Sequence, residues 1–148
     1  MTTDAPRRGR GRPRRPEADA EILDAALELL RGGGYRELSL DEVARRAGTA
    51  KSSIYRRWPS KAALVAEIVR REVPLPEDVD GDAAAVRAFE SLMNGPMGGV
   101  VASLIGEGQD STETRAIVVA LIAPYRQPGN DQRDLLLGAV LFRSLLGE

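Results

Sequence analysis

Apolar residues recur along this chain at the spacing of a helix and nowhere at the spacing of a strand. Ile22, Leu23, Ala26, Leu27 and Leu30 fall at i, i+1, i+4, i+5 and i+8, one stripe of a helix, with Asp19, Glu21, Asp24 and Glu28 elsewhere on its surface. Helical spacing starts at Glu17, and Gly32-Gly33-Gly34 is expected to end it, because three consecutive glycines lose more backbone entropy than a helix recovers. Ser39-Leu40-Asp41-Glu42 has the form of a capping box, in which Ser39 accepts the Glu42 amide while the Glu42 carboxylate reaches back to the Ser39 amide. Leu40, Val43, Ala44 and Ala47 supply the next stripe, and Gly48 is expected to stop this helix after about nine residues. A third helix is predicted from about Ala50 to Trp58, where Pro59 breaks it. Ser60 then caps a fourth from Lys61 to about Glu72, buried through Leu64, Val65, Ile68 and Val73. Further helices are predicted at roughly 83–94, 96–107, 111–123 and 131–146. No segment alternates apolar and polar residues for long, so the fold class is all-α.

The 148 residues suffice for one ordinary domain or two small ones. The absence of cysteine and histidine removes disulfides, thiol nucleophiles, the usual zinc sites and any Ser-His-Asp relay. Carboxylates, serines and lysines form no convergent pair in the pattern, so no enzyme, metal or cofactor is expected. The longest stretch without a charge, Ser91 to Gly106, is interrupted by Gly95-Pro96 and Gly98-Gly99, so no segment is expected to span a bilayer. Arginines and prolines occupy the start of the chain where a signal peptide needs an apolar run, which predicts a cytoplasmic location.

A net charge of −1 hides a strong asymmetry. From Met1 to Arg71 there are 16 Lys+Arg against 10 Asp+Glu; from Glu72 to Glu148 the count is 5 against 12. A basic front and an acidic back suggest one part that meets polyanions joined to one that does not. Residues 1–16 hold six arginines, two glycines and three prolines with no apolar periodicity, and are expected to form a flexible basic arm. Pro74-Leu75-Pro76 and the acidic stretch from Glu77 to Asp82 mark a boundary, giving a head at 17–73 and a second helical domain at 80–148.

Two short helices joined by a tight Gly-containing turn, with one helix before and one after, have the layout of a helix-turn-helix. On a wheel of about 100° per residue, Lys51, Tyr55, Ser52 and Arg56 share one arc, and Ile54 and Trp58 share the adjacent one. The apolar arc can pack on the preceding helices. That leaves an outward face of short donors, which is what entry into a major groove requires.

The stretch AGTAKSSIYRRWPSKAALV from Ala47 to Val65, with GYRELSLDEVARRAG upstream, resembles the TetR family of bacterial transcriptional regulators. The run of Gly48, Lys51, Tyr55, Trp58, Pro59, Ser60 and Lys61 carries the resemblance, which covers about residues 17–72. It implies a repressor that binds double-stranded operator DNA as a homodimer. By that resemblance Ser39 and Leu40 lie against the sugar-phosphate backbone, and Thr49, Lys51 and Ser52 enter the groove. Tyr55 contacts a phosphate or a thymine methyl, and Lys61 grips a phosphate; the wheel adds Arg56. Trp58 stands where the family usually has phenylalanine and is read as core. Arg10-Gly11-Arg12-Pro13 looks like an AT-hook core, so Arg10 and Arg12 are expected in an A·T-rich minor groove. Arg45, Arg46, Arg57, Arg70 and Arg71 are read as general surface charge.

In the second domain the resemblance implies a pocket for a small apolar effector and a helical dimer interface, although this part is shorter than the family's usual C-terminal domain. Candidate lining residues are Phe89, Met93, Met97, Val101, Leu104, Ile105, Ile117, Leu121 and Tyr125, with plain core as the alternative for each. Glu90, Glu107 and Arg115 are read as surface, with recognition of a polar ligand group as the alternative. From Leu135 to Leu146 the chain is apolar almost all round, with Arg143 its only charge; such a helix needs cover on more than one side. Leu137, Val140, Leu141 and Leu145 are therefore expected at a contact with a second protomer. The competing function is a helical protein-interaction or ligand-sequestering module that no longer reads an operator.

Overall fold

A computed structural model describes residues 16–73 and 80–146, so Arg10 and Arg12 lie outside the described residues. Eight α-helices follow one another, with no strand among the described residues: α1 (Pro16–Glu37), α2 (Leu40–Arg46), α3 (Lys51–Tyr55), α4 (Lys61–Glu72), α5 (Asp82–Asn94), α6 (Gly98–Glu107), α7 (Thr112–Ile122) and α8 (Asp131–Leu146). A 3₁₀ turn, Ala123–Tyr125, extends α7. The all-α class is as read from the sequence. No helix among the described residues is long and apolar enough to cross a membrane.

α1 is the axis of the molecule. Ile22, Ala26 and Leu30 are buried on the stripe that the spacing predicts. This stripe meets α2 and α4 on one side and α6 on the other. One apolar cluster therefore runs from Ile22 through Ile54, Leu64 and Ile68 to Val101, Leu104 and Val140. The glycine triplet breaks α1 as expected, at its last member: Gly34 adopts φ 73° and ψ −172°, and a short helical turn follows to Glu37. Tertiary contact fixes the break, since the Tyr35 amide just past it donates to Ser103 Oγ of α6 at 3.2 Å. A Cβ at position 34 would fall 3.0 Å from that of Ser103, so both the backbone angle and the fit require glycine.

The capping box also fails. Ser39 is the N-cap of α2 but makes no side-chain cap bond. Glu42 turns outward to accept from Arg45 Nε at 2.8 Å and Arg46 Nε at 2.8 Å, two charge-assisted bonds that outcompete one neutral amide. α2 has seven residues rather than nine, and Gly48 follows it at φ 59°. α4 matches its expected bounds, with Ser60 Oγ accepting from the Ala63 amide at 3.1 Å.

α5 packs along α8, and Phe89 meets Tyr125 edge-to-face at 5.4 Å between ring centroids. The buried Arg133 of α8 donates to Asp82 Oδ1 at 2.7 Å, and Asn130 Nδ2 reaches the same oxygen at 2.9 Å. This staple fixes the start of α8 against the start of α5, and so decides which face of α8 turns inward. Leu137 and Val140 are consequently buried within the chain, which corrects their placement at a contact between protomers. Leu141 is half-buried, and the Leu145 side chain lies outside the described ones. The exposed apolar side chains of α8 are instead Leu135, Leu136, Phe142 and Leu146.

Candidate nucleic-acid interface

α3 holds five residues instead of the nine expected; past Tyr55 the chain tightens into a turn, where the Arg57 amide bonds to the Ile54 carbonyl three residues back at 2.9 Å. Its two faces nonetheless separate as the wheel requires. Ile54 is fully buried and Trp58 half-buried against the core. Lys51, Ser52, Tyr55 and Arg56 point outward, and Tyr55 is 46% exposed despite its ring.

The neighbouring groups restrain these donors. Lys51 Nζ donates to Asp41 Oδ2 of α2 at 2.9 Å, and that carboxylate raises the lysine above its ordinary pKa. Arg56 Nη2 donates to Ser53 Oγ at 3.0 Å. Arg57, half-buried, reaches back to Asp19 on α1 and to the Ser53 carbonyl at 2.9 Å, so it ties α3 to α1 and is not loose surface charge. Ser39 is exposed beside this edge and Thr49 is half-buried in the turn.

Two expectations need correction. The Leu40 side chain is only 7% exposed and packs in the core, so only its main chain is left to face a sugar-phosphate backbone. Lys61 does not point outward either. Its Nζ lies 4.5 Å from the centre of the Tyr35 ring and donates to the Arg36 carbonyl at 3.3 Å. Burial pushes the Lys61 pKa down, against the opposing pull of Glu107 and Glu37. Glu107, read as a plain surface residue, accepts from Arg36 Nε at 2.9 Å and so joins α6 to the end of α1.

The expected effector residues do not surround one cavity. Phe89, Met93, Met97, Val101, Leu104, Ile117 and Leu121 are all buried in a packed layer. Two clefts of about 360 Å³ flank it. One lies between the end of α4 and α5 and touches Met97. The other is more apolar; Phe89, Ile105, Val118, Ile122, Leu137 and Leu141 line it, and the Arg126–Asp134 ion pair closes one rim.

Sequence reasoning missed Asp41, Asp19, Ser103 and Glu107. Each acts across a gap in sequence, ten residues for Asp41 to Lys51 and 71 for Arg36 to Glu107, which no periodicity rule reports.

A short helix with a buried spine and a polar outer edge, packed on α2 and tied to α1 through Arg57 and Asp19, defines a helix-turn-helix protein. The family described as "Bacterial regulatory proteins, tetR family" matches residues 22–68. The crystal structure of TetR family transcription regulator SCO0332 is 30% identical; the alignment covers 89% of this chain and 88% of that one, with a TM-score of 0.54. The chain therefore belongs to the TetR family. It is also similar to the uncharacterized HTH-type transcriptional regulator YdeS of Bacillus subtilis, 32% identical over 68% of this chain and 54% of YdeS. A Mesorhizobium loti protein of known structure, 19% identical with a TM-score of 0.51, shares the fold; the match covers 88% of this chain and 69% of that one. The chain spans about half or less of the length of the curated relatives it matches.

Proposed function

We propose that this chain is a sequence-specific DNA-binding transcriptional regulator, of the repressor kind, that binds a palindromic operator as a homodimer. The observation that carries this reading is the outward edge of α3, where Lys51, Ser52, Tyr55 and Arg56 stand exposed over a fully buried Ile54. Two such edges about 34–36 Å apart in a dimer would enter successive major grooves and exclude the transcription machinery. Thr49 would enter the groove beside Lys51 and Ser52, Ser39 and the Leu40 amide would hold the flanking backbone, and Lys61 would have to swing away from Tyr35 to reach a phosphate. The arm, through Arg10 and Arg12, would follow the adjacent minor groove.

Residues 17–73 would then be the reading head and 80–148 the regulatory and dimerising part. Leu135, 75% exposed, and Phe142, 63% exposed, support a protein contact on the outer face of α8. A small apolar effector would enter the cleft beside Phe89, Ile105 and Leu141 and favour a dimer with the wrong separation of heads.

Selecting bound sites from random duplex DNA tests the reading. The expected result is a palindrome with half-sites one helical turn apart, whose binding weakens steeply with salt. A pool with no sequence preference would instead favour the interaction or sequestering module.

A further inference from the structure

The basic front of the sequence is not spread evenly over it. Residues 1–16 carry six arginines against the single Asp4, whereas residues 17–73 carry 10 Lys+Arg and 10 Asp+Glu. The folded head is thus neutral overall, and most of its cations are held by its own carboxylates, Arg36, Arg56 and Lys61 excepted. Glu42 takes Arg45 and Arg46, Asp19 takes Arg57, Asp24 takes Arg71 and Glu67 takes Arg70. A surface built this way has no general attraction for a polyanion.

One of these pairs lies on the reading edge itself. Asp41 is on the first turn of α2, strongly exposed, and its Oδ2 holds Lys51 Nζ at 2.9 Å across the turn. In water such an exposed pair is worth little to stability. Against a duplex its position changes the competition. A lone phosphate offers Lys51 one anionic partner in place of another, and it leaves the Asp41 carboxylate facing a line of like charges. A guanine edge offers two acceptors, N7 and O6, without that phosphate's charge beside Asp41.

We propose that Asp41 is a specificity-determining residue. It positions Lys51 on the reading edge and penalises transfer of that lysine to any site that lacks a matching base edge. The proposal rests on the reading that α3 meets DNA. Its expected signature is unusual, since removing a charge should strengthen binding, but only to the wrong sequences.

The test compares the parent, Asp41→Asn, Asp41→Glu, Lys51→Ala and the double variant Asp41→Asn with Lys51→Ala. All are full-length chains whose folding is checked by thermal melting. Affinity is measured by fluorescence anisotropy on a site selected by the parent and on an unrelated duplex of equal length, over a range of salt. Asp41→Asn should tighten the unrelated duplex about tenfold, leave the selected site within about threefold and steepen the salt slope on the unrelated duplex by roughly one phosphate. Asp41→Glu should keep the parent's selectivity. In the Lys51→Ala background the same Asp41→Asn change should move the unrelated duplex by less than about twofold. Equal tightening on both duplexes, no change on either, or an undiminished effect without Lys51 would reduce Asp41 to ordinary surface charge. A parent that binds both duplexes equally would overturn the DNA-reading assignment itself, and this is seen before any variant is compared.

Discussion

α3 and α8 are both amphipathic in the sense that matters for packing: each buries one side and leaves the other in water. What they leave in water differs. α3 exposes Lys51, Ser52, Tyr55 and Arg56, groups that form hydrogen bonds with directions. α8 exposes Leu135, Leu136, Phe142 and Leu146, groups that gain only by being covered. The first surface suits a partner with its own pattern of donors and acceptors; the second suits another apolar surface of complementary shape. One small protein thus carries two different kinds of exposed helix face.

The contrast is sharpest between the buried spine of α3 and its rim. Ile54→Ala should cost about 2–5 kcal/mol of stability, because a fully buried side chain leaves a cavity under the reading edge. Denaturant unfolding would show it, and a cost below 1 kcal/mol would mean that α3 is not seated as described. On α8, Phe142→Asp should convert dimer to monomer in light scattering with helical content unchanged, and lower the unfolding midpoint only by the stabilisation that dimer formation supplies. Operator affinity should fall on the order of 100-fold as the two heads lose their linkage. A variant that stays dimeric would place the assembly surface elsewhere. Tyr55→Ala should cost about 1–3 kcal/mol of operator binding with the fold intact, and an unchanged affinity in titration would remove that ring from the interface.

Smaller effects separate the serine caps of α2 and α4. Ser60→Ala should cost about 0.5–2 kcal/mol, whereas Ser39→Ala should cost almost nothing, since Ser60 accepts a helix amide and Ser39 does not. Smallest of all is the effect of Glu42, whose carboxyl is held down from its ordinary 4.5 to about 2, first by its hydrogen bond from Arg45 and then by that from Arg46. A depressed pKa stabilises the folded form above the unfolded value and ceases to do so as pH falls through the folded one. The stability difference between the parent and Glu42→Gln should therefore be constant above about pH 5 and shrink towards pH 2. A difference that grows on acidification would contradict the bidentate contact.

The sequence made α1, α4 and the two faces of α3 legible, because Ile22, Ala26 and Leu30, or Leu64, Val65 and Ile68, report their own phase through their spacing. It did not reveal the inward face of α8. Leu135, Leu136, Leu137, Val140, Leu141 and Phe142 are apolar on nearly every side, so periodicity carries no phase there. The Arg133–Asp82 staple decides it from 51 residues away. Ser39 and Glu42 have the right spacing for a capping box, yet Arg45 and Arg46 offered the carboxylate a stronger partner. The outward donors of the candidate site could be read from α3 alone; the Asp41 that restrains Lys51 could not, because the turn between them sets that distance.

The break at Gly34 has a practical consequence for protein engineering. At this point a glycine with a backbone angle that other residues rarely adopt rests its neighbour's amide on Ser103, so the direction in which the chain leaves α1 towards α2 is set by one missing side chain and one small one. Anyone grafting α1 to α4 onto a different helical scaffold should move the glycine and the serine as a matched set. A seam placed between them would deliver intact helices aimed at the wrong spot.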